Sequence, residues 1–255
     1  MAPQIAKAIF VGNIKGGVGK STLSVYLTEY LRRRFKRQSV TLIDTDPQGT
    51  SFELMEPKSK SGEVRFLPVG DRYDGVNMST LDGVLRRLLA QNENMAIVDT
   101  SAGKLGNFWQ LAFLCNTLLV PTSMSWADLR PTIEFIKEID ERKADLRSVT
   151  PHVVVVPNRV SPHQRNFQPI TDALSEVNAI LAPPLSELSQ REARHQIFPV
   201  LTVLKARGFT KKLNGLASFW LNMLSAASLT GSMLKRPINA ALIYPLIAVA
   251  THSLK

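Results

Sequence analysis

Cysteine is almost absent from the sequence, and so are long apolar runs. The single residue Cys115 cannot form an internal disulfide, which leaves a secreted, disulfide-stapled fold unsupported and favours a reducing cytoplasm. One cysteine also argues against a zinc or iron–sulfur site made of cysteines within one chain. No segment reaches the ~20 apolar residues of a transmembrane helix. The longest candidate, 238–250, is interrupted by Pro245.

The beginning of the chain lacks the features of an export signal. Residues 1–7 contain one basic residue, and the apolar run that follows them is short. We therefore expect a cytoplasmic protein. The same short lead predicts that no helix-turn-helix extension precedes the first strand.

Glycine and proline are too scarce for a collagen-like or disordered chain. There are 14 glycines and 15 prolines among 255 residues, while 44% of the residues are hydrophobic, which is enough to form a core. This length suits one large domain. We expect a single domain over residues 1–232, followed by a C-terminal tail over 233–255.

Acidic residues are scarce in the last part of the chain. Residues 186–255 contain 9 Lys or Arg and 2 Asp or Glu, whereas residues 1–185 contain 22 basic and 19 acidic residues. This excess favours a polyanion partner, either nucleic acid or an acidic membrane surface. The alternative is that these basic residues are only the solvent-exposed charges of helix faces. The best candidates for phosphate contacts are Arg191, Arg194, Lys205, Arg207, Lys211 and Lys212.

Short apolar runs alternate with amphipathic segments along most of the chain. The runs predict strands over 8–14, 39–43, 64–69, 95–98, 118–120, 153–156 and 179–181. The helical period predicts helices over 21–36, 81–89, 128–141, 167–177 and 205–227, with Pro131 in the first turn of its helix. This alternation indicates an α/β fold, in which a doubly wound, mostly parallel sheet carries helices on both faces.

The segment between the first strand and the first helix is rich in glycine and closes on Lys20 and Ser21. It has the character of a P-loop, because glycines let successive backbone N–H groups point inward at phosphate oxygens and the helix start adds its positive dipole. Lys20 can reach the β- and γ-phosphates, and Ser21 offers a hydroxyl to Mg²⁺. The alternative is a glycine-rich turn that holds no ligand.

Two further strands end in carboxylates. Asp44 and Asp46 follow the second strand at alternate positions, so in an extended chain they share one side. Asp99 ends a later apolar strand and has the form of a Walker B aspartate, which holds Mg²⁺ through water. Because α/β sheets bind ligands at the carboxyl ends of their strands, these residues support the phosphate site.

Residues 15–22 read Lys-Gly-Gly-Val-Gly-Lys-Ser-Thr, which resembles the deviant Walker A motif of ParA/MinD-type ATPases. Residues 44–49, Asp-Thr-Asp-Pro-Gln-Gly, are similar to the Walker A′ segment of that family, and Pro157-Asn158-Arg159 is similar to its adenine-contacting segment. The resemblance implies a P-loop NTPase fold that binds ATP and Mg²⁺, so that residues 1–232 would be a deviant Walker A ATPase domain. The nucleotide contacts that it implies are Lys15, Gly16, Gly17, Val18, Gly19, Lys20, Ser21, Thr22, Asn158 and Arg159.

The resemblance also implies a dimer in which ATP lies between two subunits. Lys15 would reach the partner's phosphates as an arginine finger does. Asp46 would orient the attacking water, and Asp44 would support Mg²⁺ and the switch. The implied catalytic residues are therefore Lys15, Asp46 and Asp44, and the implied metal residues are Ser21, Asp44 and Asp99, with Asp99 acting through water.

The chain departs from the family pattern after Asp99. Thr100-Ser101-Ala102-Gly103 stands where the family usually has a pair of prolines. These small residues still allow a loop that moves with the γ-phosphate.

Three functions are compatible with these residues. The leading one is a ParA-type, nucleoid-associated ATPase that binds DNA nonspecifically as an ATP-dependent homodimer. It would position a plasmid, a chromosome or a protein assembly, and a ParB-like or cargo-adaptor protein would stimulate its hydrolysis. The second is a MinD-like membrane switch that uses the apolar segment 238–250, although this segment lacks the polar face of an interfacial helix. The third is a metabolic P-loop protein. Its reductase form is disfavoured by the single cysteine, and its ligase form by the Lys-Gly-Gly signature.

Overall fold

The computed structural model of the chain describes residues 8–35, 38–69, 78–90, 94–103, 109–148, 150–161, 163–164 and 166–186. The strands are β1 (Ala8–Val11), β2 (Ser39–Asp44), β3 (Val64–Phe66), β4 (Asn94–Asp99), β5 (Thr117–Thr122), β6 (His152–Pro157) and β7 (Ala179–Leu181). The helices are α1 (Lys20–Arg34), α2 (Thr50–Met55), α3 (Met78–Ala90), α4 (Trp109–Leu114), α5 (Trp126–Asp145) and α6 (Gln168–Leu174), with a 3₁₀ turn at Glu56–Lys58. The predicted 205–227 helix, the six basic candidates for phosphate contacts and the 233–255 tail lie outside the described residues.

The strands form one sheet in the order β3-β2-β4-β1-β5-β6-β7, and every neighbouring pair is parallel. β1 is the middle strand of the seven. On one side of β1 lie β4, β2 and β3, and on the other side lie β5, β6 and β7. This confirms the doubly wound α/β fold that the alternation of runs and helices predicts. Such a reversal of strand order places a ligand crevice at the carboxyl ends of the central strands.

Helices cover both faces of the sheet. Ala8 and Phe10 of β1 belong to the main buried cluster, together with residues of α3, α4, α5 and α6. Leu23, Leu27 and Leu31 of α1 are also buried, outside that cluster. Because successive strand residues point to opposite faces, β1 is covered from both sides. This double burial explains why the central strands are unbroken apolar runs in the sequence.

β5 continues past its predicted end and includes Pro121. The Pro121 carbonyl accepts a hydrogen bond of 2.9 Å from Asn13 Nδ2, so this part of β5 faces the loop that follows β1. β1 has already ended at Val11, whereas β6 still pairs with β5 at Pro121.

The helices differ from the prediction in two ways. α5 begins at Trp126 rather than at 128, so Pro131 is its sixth residue and does not lie in the first turn, as the sequence had predicted. Two helices of six residues, α2 and α4, were not predicted, because six residues are too few to show a helical period. None of the described helices combines the length and the apolar character needed to cross a bilayer.

Candidate functional site

The carboxyl ends of three neighbouring strands converge on one site. In the sheet register Asp99 of β4 lies between Val11 of β1 and Asp44 of β2. The glycine-rich loop leaves β1 directly after Val11 and ends where α1 begins at Lys20. The two carboxylates and the loop are therefore brought together by strand order, although they are far apart in the sequence.

The loop has the backbone that its glycines predict. Gly17 and Gly19 have φ of 75° and 91°, in the left-handed region that glycine adopts without strain. A β-carbon at Gly19 would collide with the side-chain amide of Asn158, which donates a hydrogen bond of 2.9 Å from Nδ2 to the Val18 carbonyl. Asn158, which directly follows β6, thus contacts the loop, while the adenine contact that the resemblance implies for the 157–159 segment stays a prediction. Its neighbour Arg159 has a left-handed φ of 55°.

α1 begins with its N-terminal N–H groups directed at this loop. Its N-cap is Gly19, and no side chain caps the helix start. Uncapped N–H groups at a helix N-terminus attract anions. Lys20 is only 7% exposed, and its Nζ donates to the Lys15 carbonyl at 3.0 Å. Burial lowers the pKa of Lys20, against the opposing effects of the Asp99 and Asp46 charges. The helix start and Lys20 together form a cationic cradle of the kind that binds phosphate.

Asp99 is the most strongly perturbed carboxylate of the site. Its Oδ1 accepts a hydrogen bond of 3.0 Å from Ser24 Oγ, whereas its Oδ2 is buried without a hydrogen-bond partner among the described residues. Burial raises the pKa of Asp99 to about 6, and the neighbouring Asp44 charge adds to the rise. The hydroxyl groups nearby, those of Ser21, Ser51 and Ser24, act in the opposite direction. A carboxylate in this condition is stabilised by a cation.

Mg²⁺ fits these oxygen atoms. Besides Asp99 Oδ2, the buried hydroxyl of Ser51 lies close to both carboxylates. Mg²⁺ prefers oxygen ligands, keeps several waters, and usually binds through one or two carboxylates plus substrate phosphates. Across the described ranges, no group of three or more His, Cys, Asp or Glu could hold a metal ion. Ser21, Asp44 and Asp99 are the residues that could hold such an ion together with phosphate.

Asp44 and Asp46 occupy different environments. Asp44 is fully buried, and its two oxygens accept hydrogen bonds from the backbone N–H groups of Asp46 at 3.0 Å and Phe52 at 2.8 Å. Burial raises the pKa of Asp44, and these hydrogen bonds oppose the rise. Asp46 is partly exposed, and its Oδ1 accepts the Gln48 N–H at 2.9 Å. The strand ends at Asp44, so the chain turns here instead of continuing in the extended form that the sequence analysis assumed.

The loop after Asp99 contacts the glycine-rich loop. Thr100 is buried, and its Oγ1 donates to the Val11 carbonyl at 2.9 Å. Gly103, with φ of 117°, donates its N–H to the Ile14 carbonyl at 2.9 Å. The segment that stands in place of the family's prolines is thus bonded directly to the phosphate loop. Because of these hydrogen bonds, a shift of one loop would move the other.

Lys15 lies on the outer side of the loop, away from the cradle. Its Nζ is 3.6 Å from Asp128 Oδ1 in the first turn of α5, and its side chain is 41% exposed. Its N–H is held by Asn13 Oδ1 at 3.1 Å. This position leaves the ammonium group accessible from outside the subunit.

Sequence reasoning missed four residues of this site: Asn13, Ser24, Ser51 and Asp128. Ser24 was detectable, because it lies four residues after Lys20 and so shares one face of α1. Asn13 lies in the glycine-rich loop itself, whereas Ser51 meets the two carboxylates and Asp128 meets Lys15 only through tertiary contacts. The six DNA-contact candidates lie outside the described residues, and their role stays a prediction.

The chain is similar to several known proteins. Residues 9–197 match the family described as CobQ/CobB/MinD/ParA nucleotide binding domain. A stretch of 145 residues is 30% identical to "Maintenance of carboxysome distribution protein A" of Halothiobacillus neapolitanus, and covers 56% of this chain and 62% of that protein. The chain thus spans less than two thirds of this relative.

Two solved structures show the same fold at low identity. One is a putative plasmid partition protein from Borrelia burgdorferi bound to AMPPNP, with a TM-score of 0.57 and 16% identity, over 79% of this chain and 98% of that one. The other is cobyrinic acid a,c-diamide synthase from Mycobacterium smegmatis with a bound ATP analogue and magnesium, with a TM-score of 0.59 and 18% identity, over 81% and 98%. Since one is a partition protein and the other a synthase, the fold alone does not select the activity.

Proposed function

The chain belongs to the CobQ/CobB/MinD/ParA nucleotide-binding family, and on that premise we propose that it is a ParA-like ATPase that positions a cargo. The observation that carries the proposal is the place of Lys15. This lysine lies on the phosphate loop but points outward, 41% exposed, towards α5. A lysine so placed suits a role in a second subunit, because it lies on the phosphate loop and its side chain is accessible from outside the subunit.

The proposed reaction is slow hydrolysis of ATP to ADP and phosphate. The uncapped start of α1 and the buried Lys20 would bind the β- and γ-phosphates. Mg²⁺, held by the Ser21 hydroxyl and by Asp99 and Asp44, would offset the phosphate charge. The partly exposed Asp46 would orient the attacking water, and Asn158 and Arg159 would lie near the base. Lys15 of a second copy would stabilise the charge that develops on the transferred phosphate.

Two further features support a positioning role. The relative from Halothiobacillus neapolitanus is named for carboxysome distribution. The basic excess of residues 186–255 supports nonspecific binding to DNA by the dimer, and so a nucleoid-associated protein in the cytoplasm. A ParB-like or cargo-adaptor partner would stimulate hydrolysis.

Sedimentation tests the proposal against its membrane alternative. Purified protein is centrifuged with long duplex DNA, and separately with vesicles of anionic phospholipid, in the presence of ATP, ADP or no nucleotide. We expect the protein to pellet with DNA in ATP, and to stay in the supernatant with vesicles under every condition. Pelleting with vesicles in ATP would instead support a MinD-like switch through the 238–250 segment. No ATP-dependent pelleting with either polyanion would contradict both.

Two substitutions test the proposed roles within the site. Lys15→Ala is expected to bind ATP normally but to lose hydrolysis, since the residue acts in the other subunit. Asp46→Ala is expected to bind ATP and remain an ATP-bound dimer on DNA. Lys137→Ala serves as control, because this lysine pairs with Glu176 on the exposed side of α5. An Asp46→Ala protein that fails to bind ATP would assign the catalytic role to Asp44.

A further inference from the structure

We propose that Asn13 is the positioning residue of Lys15, and that it acts by tying the phosphate loop to helix α5 through Thr132. This inference rests on the proposed function only for the role of Lys15. The contacts that carry it all lie within one subunit.

Asn13 is 2% exposed and uses both ends of its amide. Its Nδ2 donates to the Pro121 carbonyl and to Thr132 Oγ1, each at 2.9 Å. Its Oδ1 accepts the Lys15 N–H at 3.1 Å. Asparagine can do this because a primary amide carries two donors and an acceptor, whereas aspartate has no donor and serine has one.

Thr132 continues the connection into α5. Its Oγ1 donates to the Asp128 carbonyl at 2.6 Å and lies 3.2 Å from Thr122 Oγ1. Asp128 in turn accepts a hydrogen bond of 2.6 Å from Ser123 Oγ on Oδ2 and faces Lys15 Nζ with Oδ1. Asn13, which holds the Lys15 N–H, is thus linked through the Thr132 hydroxyl to Asp128, which holds the Lys15 ammonium group.

Lys15 is therefore held at its N–H, its carbonyl and its ammonium group. In the proposed function, two of these three contacts have to break. The Lys15 carbonyl is held by Lys20 Nζ, which is the group proposed to bind phosphate. The Lys15 ammonium group is held by Asp128, which must release it if the lysine is to reach a second subunit. Of the three contacts, the one from Asn13 to the Lys15 N–H is independent of both events. It therefore fixes the point from which the Lys15 side chain extends while the other two contacts change.

Thr132→Val tests the inference. Direct replacement of the buried Asn13 risks unfolding, whereas valine keeps the shape of Thr132 and removes only its hydroxyl. One Nδ2–H of Asn13 then loses its acceptor inside the protein, which makes the present amide position unfavourable. Thr28→Val is the matched control, because Thr28 is equally buried and donates the same kind of bond, 2.7 Å to the Ser24 carbonyl, without touching the loop.

The first readout is hydrogen exchange of the nucleotide-free proteins, which requires no activity. We expect the peptide that contains residues 12–19 to exchange roughly fivefold faster in Thr132→Val than in wild type, as the loss of one buried hydrogen bond predicts. In Thr28→Val that peptide should exchange as in wild type. Equal exchange of the loop in the two variants overturns the inference.

The second readout separates positioning from general support of the loop. If Asn13 acts through Lys15, Thr132→Val should lower kcat for ATP roughly fivefold and leave KM unchanged, since Lys15 does not bind the ATP of its own subunit. An increase in KM as large as the loss in kcat would show that the contact supports the whole nucleotide site, and would overturn the role assigned here. If wild type hydrolyses no ATP, the proposed function fails, and the exchange measurement alone decides the positioning role.

Discussion

At the scale of single residues, Lys20 is the charge on which nucleotide binding depends. It is a buried ammonium group whose hydrogen bond, to the Lys15 carbonyl, can be exchanged for phosphate oxygens. Lys20→Ala should weaken ATP binding by about 100-fold, since charged hydrogen bonds are worth ~1.5–3 kcal/mol each. Calorimetric titration with ATP and Mg²⁺ measures this, with Lys137→Ala as the control and circular dichroism as the check on folding. An unchanged dissociation constant would contradict the assignment of the phosphate site.

Asp99 should make the stability of the nucleotide-free protein depend on pH. Burial raises the pKa of Asp99 from 3.8 to about 6, so between these values the folded state retains a proton that the unfolded chain has released. That proton stabilises the folded state at low pH, and the stabilisation is lost as pH rises through 6. Between pH 5 and pH 7 this group alone should lower the free energy of unfolding by about 1 kcal/mol.

Urea unfolding of wild type and of Asp99→Asn over this pH range isolates the contribution, because the amide keeps the shape and does not titrate. The variant should lose less stability than wild type as pH rises. Saturating Mg²⁺ and ATP should reduce the loss in wild type, since a cation favours the ionised carboxylate. Parallel pH profiles of wild type and variant would show that Asp99 does not titrate in this range.

The same scale shows what sequence reasoning can reach. Gly19, Lys20 and Asp99 were predicted because a phosphate site requires their residue types directly after strands. Asn13 and Thr132 were not, because their bond joins residues 119 positions apart, and no local pattern marks a buried amide that will meet a hydroxyl from another helix. Partners of this kind become visible only once the strands are placed.

At the scale of elements, the C-terminal end of α1 is fastened to the neighbouring strands by one side chain. Arg32 donates from Nε to the Val40 carbonyl at 3.1 Å, and its two other nitrogens reach Ser59 Oγ and the Glu63 carbonyl at 2.7 Å. Arg33 is 61% exposed and contacts Glu29 at 3.8 Å. Of the basic residues at this helix end, Arg32 thus has a structural role and is not free to contact DNA.

Substitution should separate these two neighbours. Arg32→Lys should lower the free energy of unfolding by about 1–2 kcal/mol, because lysine cannot reproduce a planar fork that binds three acceptors. Arg33→Lys should change it by less than about 0.5 kcal/mol, as for exposed ion pairs in general. Both are measured by urea unfolding at neutral pH. Similar losses in the two variants would contradict the fastening role of Arg32.

The elements were predictable where burial or amphipathic length left a clear pattern. β6, with four consecutive valines, was located to within a residue, since a strand buried on both faces is an unbroken apolar run. The half-buried edge strand β7 was also located, from its short apolar run. α2 and α4 were missed, because their order comes from tertiary contacts. The start of α2, for example, is held by Asp44, which accepts the Phe52 N–H from the end of β2.

At the scale of the whole molecule, the excess of basic residues is known from the sequence, but most of it lies after residue 186, outside the described residues. The doubly wound, mostly parallel sheet was predicted from the alternation of strands and helices, whereas the order of its strands came from the structure. No such rule connects the basic residues after 186 to a surface. Their role in DNA binding therefore rests on composition, and it has to be tested through salt dependence.

DNA binding should be electrostatic and blind to sequence. The net charge is +10, and residues 186–255 carry most of the excess. An ATP-dependent dimer presents two such segments, so ATP should strengthen binding by avidity without any new contact. Each phosphate that is neutralised contributes roughly −0.9 to the slope of log K against log salt. Reversing Arg207 and Lys211 to Glu in both subunits removes up to four contacts, and should reduce the magnitude of that slope by roughly 3–4 units.

The measurement is a salt titration of binding to two unrelated duplexes with ATP. Arg130→Glu with Lys137→Glu changes the net charge equally on α5 and should leave the slope near its wild-type value. A strong preference for one duplex, or an equal loss in the two double variants, would show that these residues are not the DNA surface.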